Sequence, residues 1–315
     1  MSLTVPVPVK PYQVNWLYAG TIGLVHLLAL LALIPYCFSW TGVIVMLIGV
    51  HVFGQGITIG YHRLLTHRSF RTPTWVEHIF AILGICCLED TPVRWVVIHR
   101  MHHVDSDEQP DPHTPLVNFL WSHMGWLMYR NRATHSMSAT EKFGKDLLRD
   151  PFYMKLEKRP ILQFYIVYIQ LMIYFVAGFI GGWFYGGLAS AIQLGVSLVV
   201  WGVFVRTVAV WHITWSVNSL SHMFGYRNYD TGEESRNNWL VALLTVGEGW
   251  HNNHHQDPSA ATVQHRWWEF DISYYEIKIL EKLGLASDVI VPRHLRHAAH
   301  QAAREGLTER VDKTY

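Results

Sequence analysis

The sequence predicts an all-α membrane protein: four transmembrane helices in two hairpins, with a cytoplasmic helical cap that holds a histidine-rich di-metal site. Three observations lead there. Four segments are long and apolar enough to cross a bilayer, the short connections within each pair carry no basic residue, and nine histidines stand in four tight packets beside apolar segments. Only 16% of the 315 residues are charged, below the roughly 25% usual in soluble domains, and 50% are hydrophobic. The 14 Trp and 15 Tyr suit anchors at a membrane–water boundary.

The spans run roughly 16–34, 42–61, 161–185 and 188–210, each near the ~20 residues that a helix needs to cross hydrocarbon. The first two are joined around Pro35–Thr41 and the last two by the Gly-rich turn Gly181–Gly187, both without Lys or Arg. By contrast, residues 62–160 hold 13 of the 25 basic residues, and those after Val217 another 10. The positive-inside rule then puts both tight turns outside, and the N-terminus, residues 62–160 and residues 217–315 in the cytoplasm. All four histidine packets fall on that one side, where they can converge. The whole chain, 1–315, reads as one integral-membrane domain.

Between the spans, Trp75–Leu88 is apolar but too short to cross, and reads as an interfacial or re-entrant helix ended by Glu89–Asp90–Thr91–Pro92. The first ten residues lack the basic stretch and short apolar core of a cleaved signal. Cys37, Cys86 and Cys87 form no metal-type or disulfide framework and read as reduced, buried thiols. A net charge of +1 with no basic stripe argues against a nucleic-acid partner.

The packets are His62 with His67; His99, His102 and His103; His222, preceded by Asn218; and His251, His254 and His255. In the second and fourth, positions i, i+3 and i+4 share one helical face, so three imidazoles point to one place. Imidazole is the commonest nitrogen ligand for Fe, Zn, Cu and Ni. Nine are too many for one ion and suit two, and a set without cysteine disfavours structural zinc. Non-haem iron acting on O₂ fits a site with open positions. His62 and His67 are about 140° apart on an ideal α-helix, so they need a helix end or a distortion to meet. Asn218 lies one turn before His222, within reach of a metal-bound water. Asp105, Asp107, Asp111, Glu248 and Asp257 are the acids placed to orient ring N–H groups.

Other histidines read more plainly. His26 and His51 suit hydrogen bonds between spans. His78, His113, His123, His135, His212 and His265 lack partners at ligand spacing, with His123 and His212 the best supporting members. His294, His297 and His300 read as a polar surface helix. Arg206, near the end of the fourth span, either snorkels or pairs inside the bundle.

The order of these motifs resembles the membrane fatty acid desaturases of the stearoyl-CoA (Δ9) type. The resemblance is carried by Gly60–Phe70, Trp95–His103 with Ser106–Asp107 and Asp111–His113, Trp121–Trp126, Val217–Ser219, Ser235–Trp239 and Gly247–His255, and it covers roughly residues 40 to 285. It implies a four-span helical fold, two Fe ions held by the nine histidines with His222 as the ninth, Asn218 on a metal-bound water, and an acyl tunnel kinked beside the metals. It also implies an O₂-dependent acyl desaturase that leaves a cis double bond, with O₂ as co-substrate and membrane lipid around it. Two electrons must come from a separate donor such as a ferredoxin or a cytochrome b5-like protein, since no fused His-Pro-Gly-Gly haem motif is present. No side chain beyond the metal ligands is needed to break the C–H bonds.

Two positions depart from the animal acyl-CoA enzymes, which carry basic residues where this chain has Val97 and Asn131. Arg130 is the remaining head-group candidate there, and the acyl chain could arrive on CoA, a lipid or a carrier protein. A lipid hydroxylase, a haem electron carrier built on His26 and His51, and a metal transporter are the competing readings. The last would need polar residues along the spans, which are nearly free of them.

Overall fold

The computed structural model describes residues 4–296, and among these every regular element is helical, with only isolated bridges such as Arg71 with Ser287 between loops. Helix α1 is Trp16–Ala29, extended by a 3₁₀ turn at Leu30–Leu33. Helix α2, Trp40–Gln55, starts at Ser39, whose hydroxyl accepts the Gly42 N–H, and continues without a break as a π-helix over Gly56–Thr66. Three continuous helical runs are long and apolar enough to cross a membrane: Trp16–Leu33, Trp40–Thr66 and Ile161–Met223. The third is not one straight rod. Helix α7, Ile161–Val199, is interrupted at Gly186 and Gly187, where φ of +71° at Gly187 demands a residue without Cβ.

Beyond that break the chain folds back on itself. Residues around Gly178 and Gly182 lie against Leu194–Gly195 and Ser190–Ala191, so closely that a Cβ on Gly182 would sit 2.3 Å from the Ser190 carbonyl. The reversal lies at the C-terminal end of the Gly181–Gly187 turn read from the sequence. After α7 a π-wound stretch, Val200–Val205, leads into α8, Arg206–Met223. The outer faces of these runs are lined with exposed Leu, Ile, Phe and Trp, the reverse of a water-facing helix.

The cap is built from shorter helices. They are α3 (Thr74–Ile85), α4 (Pro92–Asp105), α5 (Met137–Phe143), α6 (Pro151–Lys158), α9 (Trp239–Leu244), α10 (His251–Gln256) and α11 (Ile272–Lys282). Thr91, Ser136, Asp150, Asn238 and Asp271 cap five of them by accepting first-turn N–H groups. Helix α3 lies against the π-wound end of α2, where a Cβ on Gly56 would run into the Gly84 backbone and a Cβ on Gly84 into the Tyr61 ring. A core of Ile57, Tyr61, Leu65, Ile85, Val96 and Val97 ties α2, α3 and α4 into one block. That block holds the first two histidine packets at fixed relative positions.

Arg206 does not snorkel. It is fully buried, donates to the Cys86 and Gly202 carbonyls, and lies 4.3 Å over the Phe53 ring. The three cysteines are free and buried.

Candidate metal centre

The π-winding of residues 56–66 resolves the awkward spacing of the first packet. The His67 N–H donates to the His62 carbonyl five residues back, the bond that defines a π turn. Both rings therefore fall on one face, with centroids 4.8 Å apart. Helix α4 presents His99, His102 and His103, α10 presents His251, His254 and His255, and the last turn of α8 presents His222. All nine rings meet. They divide into two groups whose donor atoms lie within 4.8 Å of one another: His62, His67, His99, His103 and His254 in the first, and His102, His222, His251 and His255 in the second.

The hydrogen bonds fix which ring nitrogen faces inward. Nδ1 of His62 lies 2.8 Å from Glu248, Nδ1 of His102 lies 3.0 Å from Asp111, and Nδ1 of His222 lies 3.0 Å from Asp107. Each Nδ1–H donates to its carboxylate, which leaves the Nε2 lone pair pointing into the cluster. There His62 Nε2 faces His254 Nε2 at 3.1 Å, and His254 Nε2 faces His103 Nε2 at 2.9 Å. The Nε2 atoms of His67, His102 and His222 are buried with no partner. Nitrogen lone pairs crowded together in a buried space repel one another unless cations lie between them, so the residues fit a pair of metal ions.

Burial pushes His67, His99, His103, His251, His254 and His255 well below the usual histidine range, helped by their neighbours' charge, and so keeps them in the neutral, ligating form. Burial alone would raise the Glu248 carboxyl. The Arg63 guanidinium and His62 overcome it and hold Glu248 down at about 2.

The carboxylates are themselves anchored. Arg63, fully buried, donates to Glu248 through Nε and Nη2 at 2.9 and 2.8 Å, and through Nη1 to Asp271 at 2.9 Å. Gly247, at φ +142°, leaves the room that Asp271 occupies, since a Cβ there would fall 2.6 Å from its Oδ1. Asp107 also accepts the Glu234 N–H, and Asp111 the N–H groups of Asp107 and His113.

Asp257, read as a carboxylate beside the metals, turns away from them. It accepts the Arg293 N–H at 2.7 Å and Arg296 at 3.0 Å, and so pins the start of the C-terminal segment. It follows α10 by one residue, where the chain has already left the cluster face. His294 packs on His265, 5.1 Å between ring centroids, while His297 and His300 lie outside the described residues. The Asp105 carboxylate makes no hydrogen bond or ion pair with a ligand ring among the described residues, and its carbonyl accepts the Glu108 N–H at the end of α4.

Sequence reasoning missed several residues. Glu233 reaches within 3.6 Å of His255 Nδ1 and 3.8 Å of His222 Nδ1 from the loop between the third and fourth packets. The two asparagines inside the last packet fix α10: Asn253 bonds Glu269, Asn228 and Asn237, and Asn252 accepts the N–H groups of Asn228 and Tyr229. Glu89 was read as a helix end only. It lines a cavity, where Trp95 Nε1 donates to it at 3.3 Å, and burial pushes its carboxyl up to about 8 against hydrogen bonds from Thr214 and Trp95. Trp95 in turn stacks on His99, 22° between ring planes.

Two cavities, of about 930 and 980 Å³ with their open mouths included, flank the cluster and share Trp95, His99, Thr214 and Asn218 as a common wall. The first runs from Tyr18 and Asp90 past Glu89 to Asn218. Its mouth adjoins a polar recess where Arg94, Arg130, Arg132 and His135 gather. Val97 is absent from that recess because α4 turns it into the core, 1% exposed, and Asn131 is buried with its side chain capping the Ala133 N–H.

A helical bundle with membrane-length apolar runs, carrying two adjoining groups of histidines beside apolar cavities, defines a membrane-type protein with a candidate metal centre. The chain belongs to the fatty acid desaturase family, whose model matches residues 16–278. It is 43% identical over 290 residues to the sn-1 stearoyl-lipid 9-desaturase of Anabaena variabilis, covering 91% of this chain and 97% of that one. It is 42% identical over 269 residues to a protein of the same description from Synechocystis, covering 85% and 78%. An acyl-CoA 5-desaturase of Anemone leveillei is 38% identical over 301 residues, covering 92% and 87%.

Proposed function

We propose that this fatty acyl desaturase is a four-span membrane enzyme that uses two Fe ions and O₂ to place a cis double bond at Δ9 of a saturated acyl chain, carried on a membrane lipid. The observation that supports the reading is the convergence of nine buried or half-buried imidazoles, of which His62, His99 and His251 line the two apolar cavities that flank them. The ligands would be His62, His67, His99, His103 and His254 for one ion and His102, His222, His251 and His255 for the other, with Asn218 on a metal-bound water. Iron bound there supplies the O₂-dependent oxidation, with two electrons from a separate donor such as a ferredoxin or cytochrome b5-like protein.

The chain's own residues do the rest. Asp107, Asp111 and Glu248 orient His222, His102 and His62. Trp95, Thr214 and Glu89 hold the acyl chain against the metal wall, and apolar burial at roughly 25 cal/mol per Å² drives binding. Arg130, with Arg94 and Arg132, meets the polar head group at the mouth. Two features favour a lipid carrier over CoA: the relatives named for acyl-lipid substrates, and the absence of a basic side chain at Asn131, which lines the polar recess. The basic residues of the cap favour a cytoplasmic metal site and termini, with the break at Gly186–Gly187 on the far side.

The test is expression of the full chain in a desaturase-deficient host. Δ9 unsaturation in its lipids and about two irons per purified chain are expected. Loss of turnover on changing any ligand histidine to alanine is expected too. One zinc per chain, or saturated lipids with iron-loaded enzyme, would refute it.

A further inference from the structure

The second cavity continues past the metal wall along one face of α2, where Leu47, Val50 and His51, Gly54 and Thr58 follow at helical spacing. Its far end is not walled off. Leu47 is 60% and Leu244 50% exposed although both line the cavity, and a Cβ on Gly54 would meet nothing within 4 Å. At the same rim His51 Nε2 lies 2.7 Å from Glu276 Oε1, a half-exposed pair bridging α2 to α11. The surrounding surface is apolar, with Leu240, Leu243, Ile272 and Ile279 exposed.

We propose that this cavity opens sideways into the bilayer between α2 and α9, with the His51–Glu276 pair as its threshold, and that acyl chains longer than the cavity pass their methyl ends through it into lipid. The inference rests on the acyl-desaturase reading above. His51 precedes His62 by eleven residues, about 15 Å along an α-then-π helix. Beyond a Δ9 bond an 18-carbon chain extends about 10 Å at ~1.25 Å per carbon, and a 22-carbon chain about 15 Å. The shorter chain therefore ends inside, and the longer one reaches the threshold. A dead end would reject the longer chain, because each surplus methylene in a closed apolar pocket costs about tenfold or more. An open end lets it through and leaves the head group to set the position of the bond.

The experiment supplies saturated acids of 16, 18, 20 and 22 carbons to the desaturase-deficient host expressing the full chain. The ratio of unsaturated to saturated chains is then measured within each length in its membrane lipids. The double bond is expected at one distance from the carboxyl carbon in all four, with the 22-carbon ratio within about tenfold of the 18-carbon ratio. Plugging the passage with Gly54→Phe or Leu47→Trp is expected to lower the 22-to-18 ratio about tenfold or more. Rejection of 20- and 22-carbon chains by the unaltered enzyme, a bond set at constant distance from the methyl end, or plugged variants that keep the 22-to-18 ratio would each overturn the doorway while leaving the desaturase reading intact. If a plugged variant fails to accumulate, the length series of the unaltered enzyme decides alone. No unsaturation at any length would bring down the desaturase reading and the doorway together.

Discussion

Replacing Glu248 by glutamine should empty one metal position and spare the other. Glu248 orients only His62, in the five-histidine group, and is itself clamped by Arg63. Glutamine keeps the shape and one acceptor but removes the charge that stiffens the His62 ring and balances the guanidinium. Loss of a carboxylate behind a ligand histidine costs about 10–100-fold in metal affinity. Protein stability should fall as well. Glu248 is held at about 2 in the folded chain against 4.5 in the free side chain. That difference corresponds to about 3 kcal/mol, present above pH ~4.5 and lost as the pH falls towards 2. Iron is counted in the purified variant by elemental analysis, with Asp107→Asn as the matched perturbation on His222 in the four-histidine group. Each variant should retain about one iron, with different Mössbauer parameters for the survivor. If both lose both ions together, or neither loses any, the division into separately oriented groups is wrong.

Glu89 should give the enzyme an alkaline limit. With its carboxyl pushed up to about 8, it is neutral at pH 7 and becomes an anion facing the acyl chain as the pH rises through 8. KM should climb there, and Glu89→Gln should flatten the climb. Asp257→Ala should leave the iron content untouched and loosen the segment from Arg293 onward, read as faster proteolysis after residue 290. Cysteines placed at Gly187 should be labelled from outside, and those at Lys142 only from the cytoplasm. Outside labelling at Lys142 would overturn the orientation.

The nine histidines were legible because ligation imposes local spacing, and two of the three supporting carboxylates, Asp107 and Asp111, follow their packet within a few residues. Glu248 was also found, since it precedes the last packet. Glu233 and Glu269 were not, because they reach the site through loops folded back from elsewhere, and nothing in their sequence neighbourhood marks that. Asp257 was misread because proximity in sequence to α10 does not survive the helix end. The π-wound segment was half legible: the i, i+5 spacing demanded a distortion, but its length depends on Gly56 and Gly84 letting α3 close in. Val97 shows the converse. Its departure from related enzymes looked like a lost head-group contact, yet in this fold the position belongs to the core.

The five-histidine group joins His62, His67, His99 and His103 to His254, and Arg63 closes on Glu248 and Asp271. During synthesis, then, the first four ligands leave the ribosome about 150 residues before the fifth, and at ordinary elongation speeds the gap lasts about 10–30 s. In that interval Arg63 has no counter-charge and the partial ligand set has no lid. The five-histidine group can therefore be completed only once His254 has been made, and a chain stalled before Glu248 would carry four of its ligands without the carboxylate that orients His62.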